Sequence, residues 1–417
     1  MSVRQRHAVV AGAGIGGLTA ALALSRQGWK VTVCERAEGP AAVGAGIVLA
    51  PNALRAFEAI GFDPAPGTGS APAMAMSLRR PGGGRLSRAD PAALAARFGR
   101  TPLALHRSAL TTALAAALPE GALRYGAAVT AVDEGDGRAV VRTASGDLTA
   151  DAVIAADGIH SPLRRRHFPH HPGLRYSGET AWRTVLPAGA APAGIAAAET
   201  WGRGERFGTV PLADGGLYAY ATAVVPEGYR PADVRTELLR RFGTWHHPVP
   251  ALLERIDPGQ VLQHDLYDLA ARLPRLHHGR IAWIGDAAHA MTPNLGQGGC
   301  QAVEDAVVLA HLLAGPDVPA ALAAYTRARL ARTDAIRVRA RRAGRVAALR
   351  HPLAVAARDL AFRAVPAGAS LRALDDLFNG FTLPGPNGAG GECPPCPGAL
   401  RLVVEFVDVQ SKAGRTT

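Results

Sequence analysis

VVAGAGIGGLTAA, residues 9–21, is an apolar run that halts at glycines and then resumes with helical spacing. Worked outward, His7 to Gly12 reads as a strand, IGGLTAALALSRQG as a helix stopped by Gly28, and KVTVCE as a second strand. In that strand, turn and helix context each glycine of Gly12-x-Gly14-x-x-Gly17 has a task. Gly12 permits the tight turn, Gly14 lets backbone approach a pyrophosphate, and Gly17 lets helix and strand pack closely. The helix N-terminus then faces the phosphates. Glu35 closes the second strand about twenty residues on, where a carboxylate grips a ribose. Arg36 beside it reads either as a contact to the adenosine phosphate or as surface charge. The fold class that follows is α/β with a Rossmann-like dinucleotide-binding domain.

A nicotinamide enzyme would continue with further βαβ units. This chain instead breaks into GAGIVLAPNALRAFEAIG, residues 44–61, and the nucleotide-type pattern returns only with IGDAAHAMTPNLGQGG, residues 284–299. Two ligand segments so far apart suit an extended FAD, whose ADP half takes the first loop and whose ribityl-flavin half needs partners of its own. Asp286, at the end of an apolar strand, is placed to bond a ribityl hydroxyl. The loop from Pro293 through Gly296, Gly298 and Gly299 would bring backbone N–H groups and a helix N-terminus to the flavin's pyrimidine edge. Negative charge develops there on reduction.

Between these segments the pattern changes. LHRSALTTALAAAL reads as a helix capped by Ser108, and APNALRAFEAIG as one with Pro51 at its start and Gly61 past its end. From Leu123 to Ala156, EGDG and ASGD break alternating runs into short hairpin strands that end in DAVIAADGIHS. From Gly173 to Leu269 the chain is mostly strand, with one helix near RTELLRRFGTW, which reads as an inserted, mainly antiparallel substrate sheet. The expected division is residues 1–72, 101–172 and 271–379 for the FAD-binding domain, its last part ending in C-terminal helices. Residues 73–100 would give a strand segment to the substrate domain, 173–270 its main sheet, and 380–417 a flexible tail. A helix begins near Cys300, and a later one, residues 320–350, is densely basic and reads as a solvated outer face.

With 417 residues, 48% hydrophobic, the chain can bury more than one core. Four cysteines are too few for a disulfide framework, and the N-terminus lacks signal-peptide order, so a cytoplasmic setting is expected. The net charge of +12 comes without aromatic–basic interleaving, so no nucleic-acid partner is expected. No apolar stretch is long enough to span a membrane: the best late candidate, PLAVAARDLAFRAVPAG, carries Arg358, Asp359 and Arg363, and no membrane partner is expected. No metal-ligand set stands out. Cys393 and Cys396 form a lone Cys-x-x-Cys among prolines, too little for a zinc or redox site. Cys300 and His289 read as packing residues, His289 donating to backbone.

Taken together, GAGIGG, HRSAL, DGIHSPLRR and GDAAHAMTPNLGQGGCQAVEDAVVL resemble the single-component FAD-dependent aromatic hydroxylases, the group A flavoprotein monooxygenases. The resemblance runs from about Val9 to Phe378 and implies a glutathione-reductase-type FAD domain with the para-hydroxybenzoate hydroxylase-like architecture. It implies that Gly12, Gly14, Gly17 and Glu35 bind the ADP half, that Val129 offers backbone to the adenine, and that Arg107 contacts the FAD chain. Asp157 and Gly158 match the Asp-Gly motif tied to FAD and the nicotinamide cofactor; Asp286 matches the ribityl contact, and Pro293 to Gly299 the loop beside the isoalloxazine. NADH or NADPH would reduce the flavin transiently, and dioxygen would give a flavin hydroperoxide that hydroxylates a small aromatic or polycyclic phenolic substrate. In GERFGTVPLADGGLYAY, Arg206 is expected to hold an anionic ring substituent and Tyr218 to bond or stack on the ring, with a strand-edge charge and a core aromatic as the structural alternatives. Halogenase or epoxidase chemistry, or a redox role without oxygenation, is the alternative; AWRTVLP has one tryptophan where halogenases carry a pair. A monomer or homodimer is expected.

Overall fold

The structure is a computed structural model and describes residues 4–40, 45–65, 76–135, 137–192 and 194–384. The strand His7–Ala11 is central to a six-stranded sheet ordered His277–His278, Ile281–Trp283, Ala152–Ala155, His7–Ala11, Lys30–Cys34 and Leu123–Arg124. All neighbours are parallel except the His277–His278 edge. Helices cover the sheet, so its central strands are buried: every residue of His7–Ala11 and of Ala152–Ala155 is buried.

Two helices start where the glycine loops end, Ile15–Arg26 and Gly298–Leu313. They lie tightly together, because a Cβ on Gly16 would stand 3.1 Å from the Ala302 methyl. This close packing brings the first glycine loop and the distant PNLGQGG loop to one end of the sheet. The segment after Leu123 forms a three-stranded antiparallel meander, Val129–Gly135, Arg138–Thr143 and Gly146–Ala150.

A seven-stranded sheet is ordered Leu262–Leu269, Leu174–Leu186, Leu217–Val224, Glu205–Pro211, Ala198–Trp201, Ser77–Arg79 and Arg85–Arg88. It is antiparallel apart from the junction of Ala198–Trp201 with Ser77–Arg79. Alternation gives it two different faces. Trp182, Leu186, Phe207, Leu217 and Ala221 pack under the helices Val234–Phe242 and Val249–Leu253. Val210, Tyr218 and, half-buried, Val185 and Tyr220 meet Ala104 and Val48 on the opposite face.

Several local expectations need correction. Ser108 is no cap: it lies in the first turn of the helix Arg107–Ala116, whose N-cap position is His106. The helix expected from Cys300 starts two residues earlier, at Gly298. The basic helix, Val318–Ala347, is not merely a solvated face, since Arg329 and Arg337 are buried. Cys393 and Cys396 lie outside the described residues.

Candidate active site

Three adjacent parallel strands end on one side of the six-stranded sheet and deliver Gly12, Asp157 and Asp286 there, the edge at which α/β sheets bind ligands. Gly12 has φ +104°, its N–H donates to the Cys34 carbonyl at 2.8 Å, and a Cβ would stand 2.5 Å from the Ala156 carbonyl oxygen. At Gly17 a Cβ would lie 2.1 Å from the Gly12 oxygen, so strand and helix could not close on any other residue. Gly14 is different. Its φ of −74° and ψ of 176° suit any residue, and no protein atom lies within 4 Å of where its Cβ would be.

Glu35 lies across the loop, its carboxylate accepting from the Ala13 N–H at 2.7 Å and the Ala37 N–H at 2.9 Å. Arg36 is exposed. Val129 begins the meander opposite Thr143, just before a register shift. Arg107 is exposed at its helix start, with its N–H on the Ala45 carbonyl at 3.0 Å.

Asp157 follows its strand with one carboxylate oxygen buried and unpartnered among the described residues, while the other accepts from the Leu163 N–H at 3.3 Å. Burial raises its pKa, partly offset by the Ser161 hydroxyl and the Leu163 N–H. Gly158 has φ +79° and open space where a side chain would be. Asp286 is exposed at the start of the short helix Asp286–His289, facing Gly298: a Cβ there would stand 3.9 Å from Asp286 Oδ1. Gly296, with φ +63°, is likewise open.

The sequence reading missed the residue that ties these turns together. Arg164 is buried and donates to the carbonyls of Ala287 at 3.0 Å, Asp286 at 3.2 Å and Ile159 at 2.5 Å. It thereby joins the Asp157–Gly158 turn to the Gly285–Asp286 turn. The signal was the run Arg164, Arg165, Arg166, of which only the first turns inward.

Behind the site lies a buried ionic cluster. Asp305 accepts from the Gly285 N–H at 3.0 Å, pairs with His289 Nε2 at 2.5 Å, and accepts from Arg329 Nε at 2.7 Å. His289 therefore faces a carboxylate and not the backbone carbonyl expected for it. Glu304 meets Arg329 at 2.5 Å and Arg332 at 2.8 Å, and accepts from Asn52 at 2.6 Å. Burial works to raise both carboxyl pKa values, but the charges more than offset it, from His289 and Arg329 for Asp305 and from Arg329 and Arg332 for Glu304, and both end below the usual range. Cys300 is a packing residue, its thiol pushed up to about 12 by burial.

On the sheet side, the Tyr218 ring covers Gly46, where a Cβ would stand 2.5 Å from it, and lies 5.5 Å from the Tyr220 ring. Arg206 is not a strand-edge charge: it is 3% exposed. It donates to Thr222 Oγ1 at 3.0 Å, Asn294 Oδ1 at 2.6 Å and Glu179 Oε1 at 2.9 Å, and Glu199 lies 3.6 Å away. With its charge balanced by two carboxylates, Arg206 is not free to hold an anionic ring substituent, which corrects that expectation. Instead it pins Asn294, next to the exposed Pro293, to the sheet.

The residues suit an FAD. An open Gly14 at a helix start, an unpartnered Asp157 oxygen, and open backbone at Gly158 and Gly296 lie along the strand ends where such a molecule would extend. The family pattern described as FAD binding domain matches residues 5–340. The chain belongs to the FAD-dependent aromatic hydroxylases. This monooxygenase is 39% identical over 331 residues to aurachin C monooxygenase/isomerase of Stigmatella aurantiaca, covering 78% of this chain and 85% of the relative. It is 33% identical over 379 residues to 2-heptyl-3-hydroxy-4(1H)-quinolone synthase of Pseudomonas aeruginosa, covering 89% and 97% of the two chains. The crystal structure of Klebsiella pneumoniae HpxO with FAD and uric acid is similar with a TM-score of 0.84 at 29% identity, covering 91% of this chain and 98% of that one. As an FAD-dependent monooxygenase of this fold, the hydroxylase matches its sequence reading in fold class, cofactor and enzyme class. No helix of the described residues is long and apolar enough to cross a membrane.

Proposed function

We propose that this hydroxylase uses NADH or NADPH and dioxygen to hydroxylate a neutral, ring-fused aromatic or phenolic compound. The observation that carries the substrate class is the balanced Arg206: the sheet face toward the flavin side offers the rings of Tyr218 and Tyr220 with Val185, Val210 and Leu212, no free guanidinium from Arg206, and an Arg183 that is engaged with the Tyr218 hydroxyl. The relatives named as an aurachin C monooxygenase/isomerase and as a 2-heptyl-3-hydroxy-4(1H)-quinolone synthase support the same class. When bound, FAD would relay two electrons from NADH or NADPH to dioxygen and so supply the oxygen activation.

The chain's own residues hold and shield. Gly12, Gly14, Gly17 and the helix N-terminus would take the pyrophosphate, Glu35, which now accepts from the Ala13 N–H, would accept from ribose hydroxyls, Arg36 and Arg107 would contact the cofactor chain, and Val129 would offer backbone to the adenine. Asp157 and Gly158 lie along the middle, and Asp286 accepts from the ribityl chain. The N-terminus of Gly298–Leu313, with Gly296, Gly298 and Gly299, stabilises negative charge at the ring edge. Pro293 and Asn294, anchored by Arg206, wall the reacting face, and Tyr218 stacks on the substrate. The division into three FAD-domain segments and an inserted substrate sheet, a cytoplasmic setting, and a monomer or homodimer complete the proposal; the free buried thiols Cys34 and Cys300 are consistent with a reducing compartment.

The test is pyridine-nucleotide consumption in air by the yellow protein across neutral quinolones and naphthols set against carboxylated phenols, with product mass checked. Neutral fused rings should give the stronger stimulation together with a gain of one oxygen; preference for carboxylated rings, or no response to any ring, would count against it. Asp286→Ala should fold normally, because the side chain is exposed, but should retain FAD about tenfold less well through one lost hydrogen bond to a charged group. Full flavin absorbance after extensive dialysis would remove Asp286 from the ribityl site.

A further inference from the structure

The helix Pro352–Ala364 turns its one adjacent charged pair inward and two leucines outward, contrary to the usual pattern of a surface helix. Arg358 and Asp359, 3% and 4% exposed, face the protein. Arg358 bonds Asp359 at 2.8 Å and lies over the Trp201 ring, and Asp359 accepts from Arg80 Nε at 2.8 Å. Outward, Leu353 is 75% exposed and Leu360 68%. With the exposed Ala357 and Ala364 they occupy positions i, i+4, i+7 and i+11, one unbroken apolar stripe.

The flanks of this stripe are basic. Arg363 lies on the same helix toward Gly84, Arg350 precedes the helix, and the edge strand Arg85–Arg88 beneath it adds two exposed arginines. None of these four has a carboxylate within ion-pair distance among the described residues. A second copy of the chain fits this face poorly: a two-fold contact would set arginine against arginine. One helix face of this length also offers on the order of 500 Å² against the roughly 800 Å² per partner that a stable dimer uses. An apolar stripe between unpaired cations instead matches a helix lying in the plane of a bilayer, leucines among acyl chains and arginines at phosphates. We propose that the exposed face of Pro352–Ala364 docks this protein on an anionic lipid surface. This departs from the expectation of no membrane partner, which was argued from the lack of an apolar stretch long enough to span a bilayer; a helix lying in the interface needs no such length.

The test is flotation of the full chain with vesicles of phosphatidylcholine alone and with about one-third phosphatidylglycerol, at low and high salt, alongside light scattering without vesicles. The full chain should float with the anionic vesicles and be released by salt. Leu353→Glu with Leu360→Glu should lower partition about tenfold or more while keeping the thermal midpoint, because both side chains point to solvent. Arg350→Gln and Arg363→Gln should each cost about fivefold on anionic vesicles and little on neutral ones. Absence of flotation, flotation unaffected by the leucine substitutions, or a dimer that those substitutions split would each overturn the proposal.

Discussion

Arg329→Met is expected to lose about 3–5 kcal/mol of stability at neutral pH, since breaking a buried ion pair from one side leaves uncompensated charge. The guanidinium is 2% exposed and serves two fully buried carboxylates at once, Glu304 at 2.5 Å and Asp305 at 2.7 Å. Methionine fills much of the volume but leaves Glu304 with Arg332 as its one cation beside the amides of Asn52 and Gln301, and Asp305 with His289 and the Gly285 N–H. In the intact protein both carboxyls are held below their usual range, so their stabilisation is full above the unfolded carboxylate pKa and fades as pH falls below it. In the variant Glu304 loses its main cation and Asp305 the second of its two, so burial pushes both carboxyls up and protonation relieves the strain. The gap between the two proteins should therefore be widest near neutrality and narrow on acidification. Urea unfolding at several pH values measures this; a gap below about 1 kcal/mol, or one that widens in acid, would mean the cluster is not the support described here.

Gly14→Val should leave the protein without FAD yet folded. The position has ordinary extended backbone and nothing within 4 Å of a new Cβ, so the chain itself does not require glycine there. A branched side chain would occupy the space through which backbone N–H groups meet the pyrophosphate, and a loss of about a hundredfold or more in affinity is expected. Gly17→Ala is the contrast, because its Cβ would meet the Gly12 oxygen at 2.1 Å and must force helix and strand apart. Flavin titration and apo-protein melting separate the two: Gly14→Val keeps its melting temperature and loses FAD, whereas Gly17→Ala loses both. Normal FAD binding by Gly14→Val would move the pyrophosphate away from this loop.

The contrast between these glycines shows what was legible in the chain. Both stand in one motif, and spacing alone assigned them different tasks; the strand, turn and helix that the motif needs did form. The hairpin strands after Leu123 and the strands of the inserted sheet were also readable, because alternation and turn residues are local signals. Arg206 was less legible. Its strand showed which residues share a face but not that Glu179, on a strand 27 residues back, would arrive to neutralise it. Arg164 could not be told from Arg165 and Arg166 by composition, and only the neighbouring Asp286–His289 turn made one of them an interior donor.

By itself the sequence determined the local geometry of this hydroxylase: the glycine turn at Gly12, the apolar central strands of a parallel sheet, the acids Glu35, Asp157 and Asp286 that follow three of its strands, and through them the cofactor. These follow from backbone sterics and from periodicity, which act over a few residues. Only the tertiary structure decided where charge goes. The basic helix Val318–Ala347 turns Arg329 inward because Glu304 and Asp305 wait on another helix, and Pro352–Ala364 turns its leucines outward because Arg80 and Trp201 receive its charges. A charge takes its partner from whatever the fold brings within a few ångströms, and no local pattern records that neighbour.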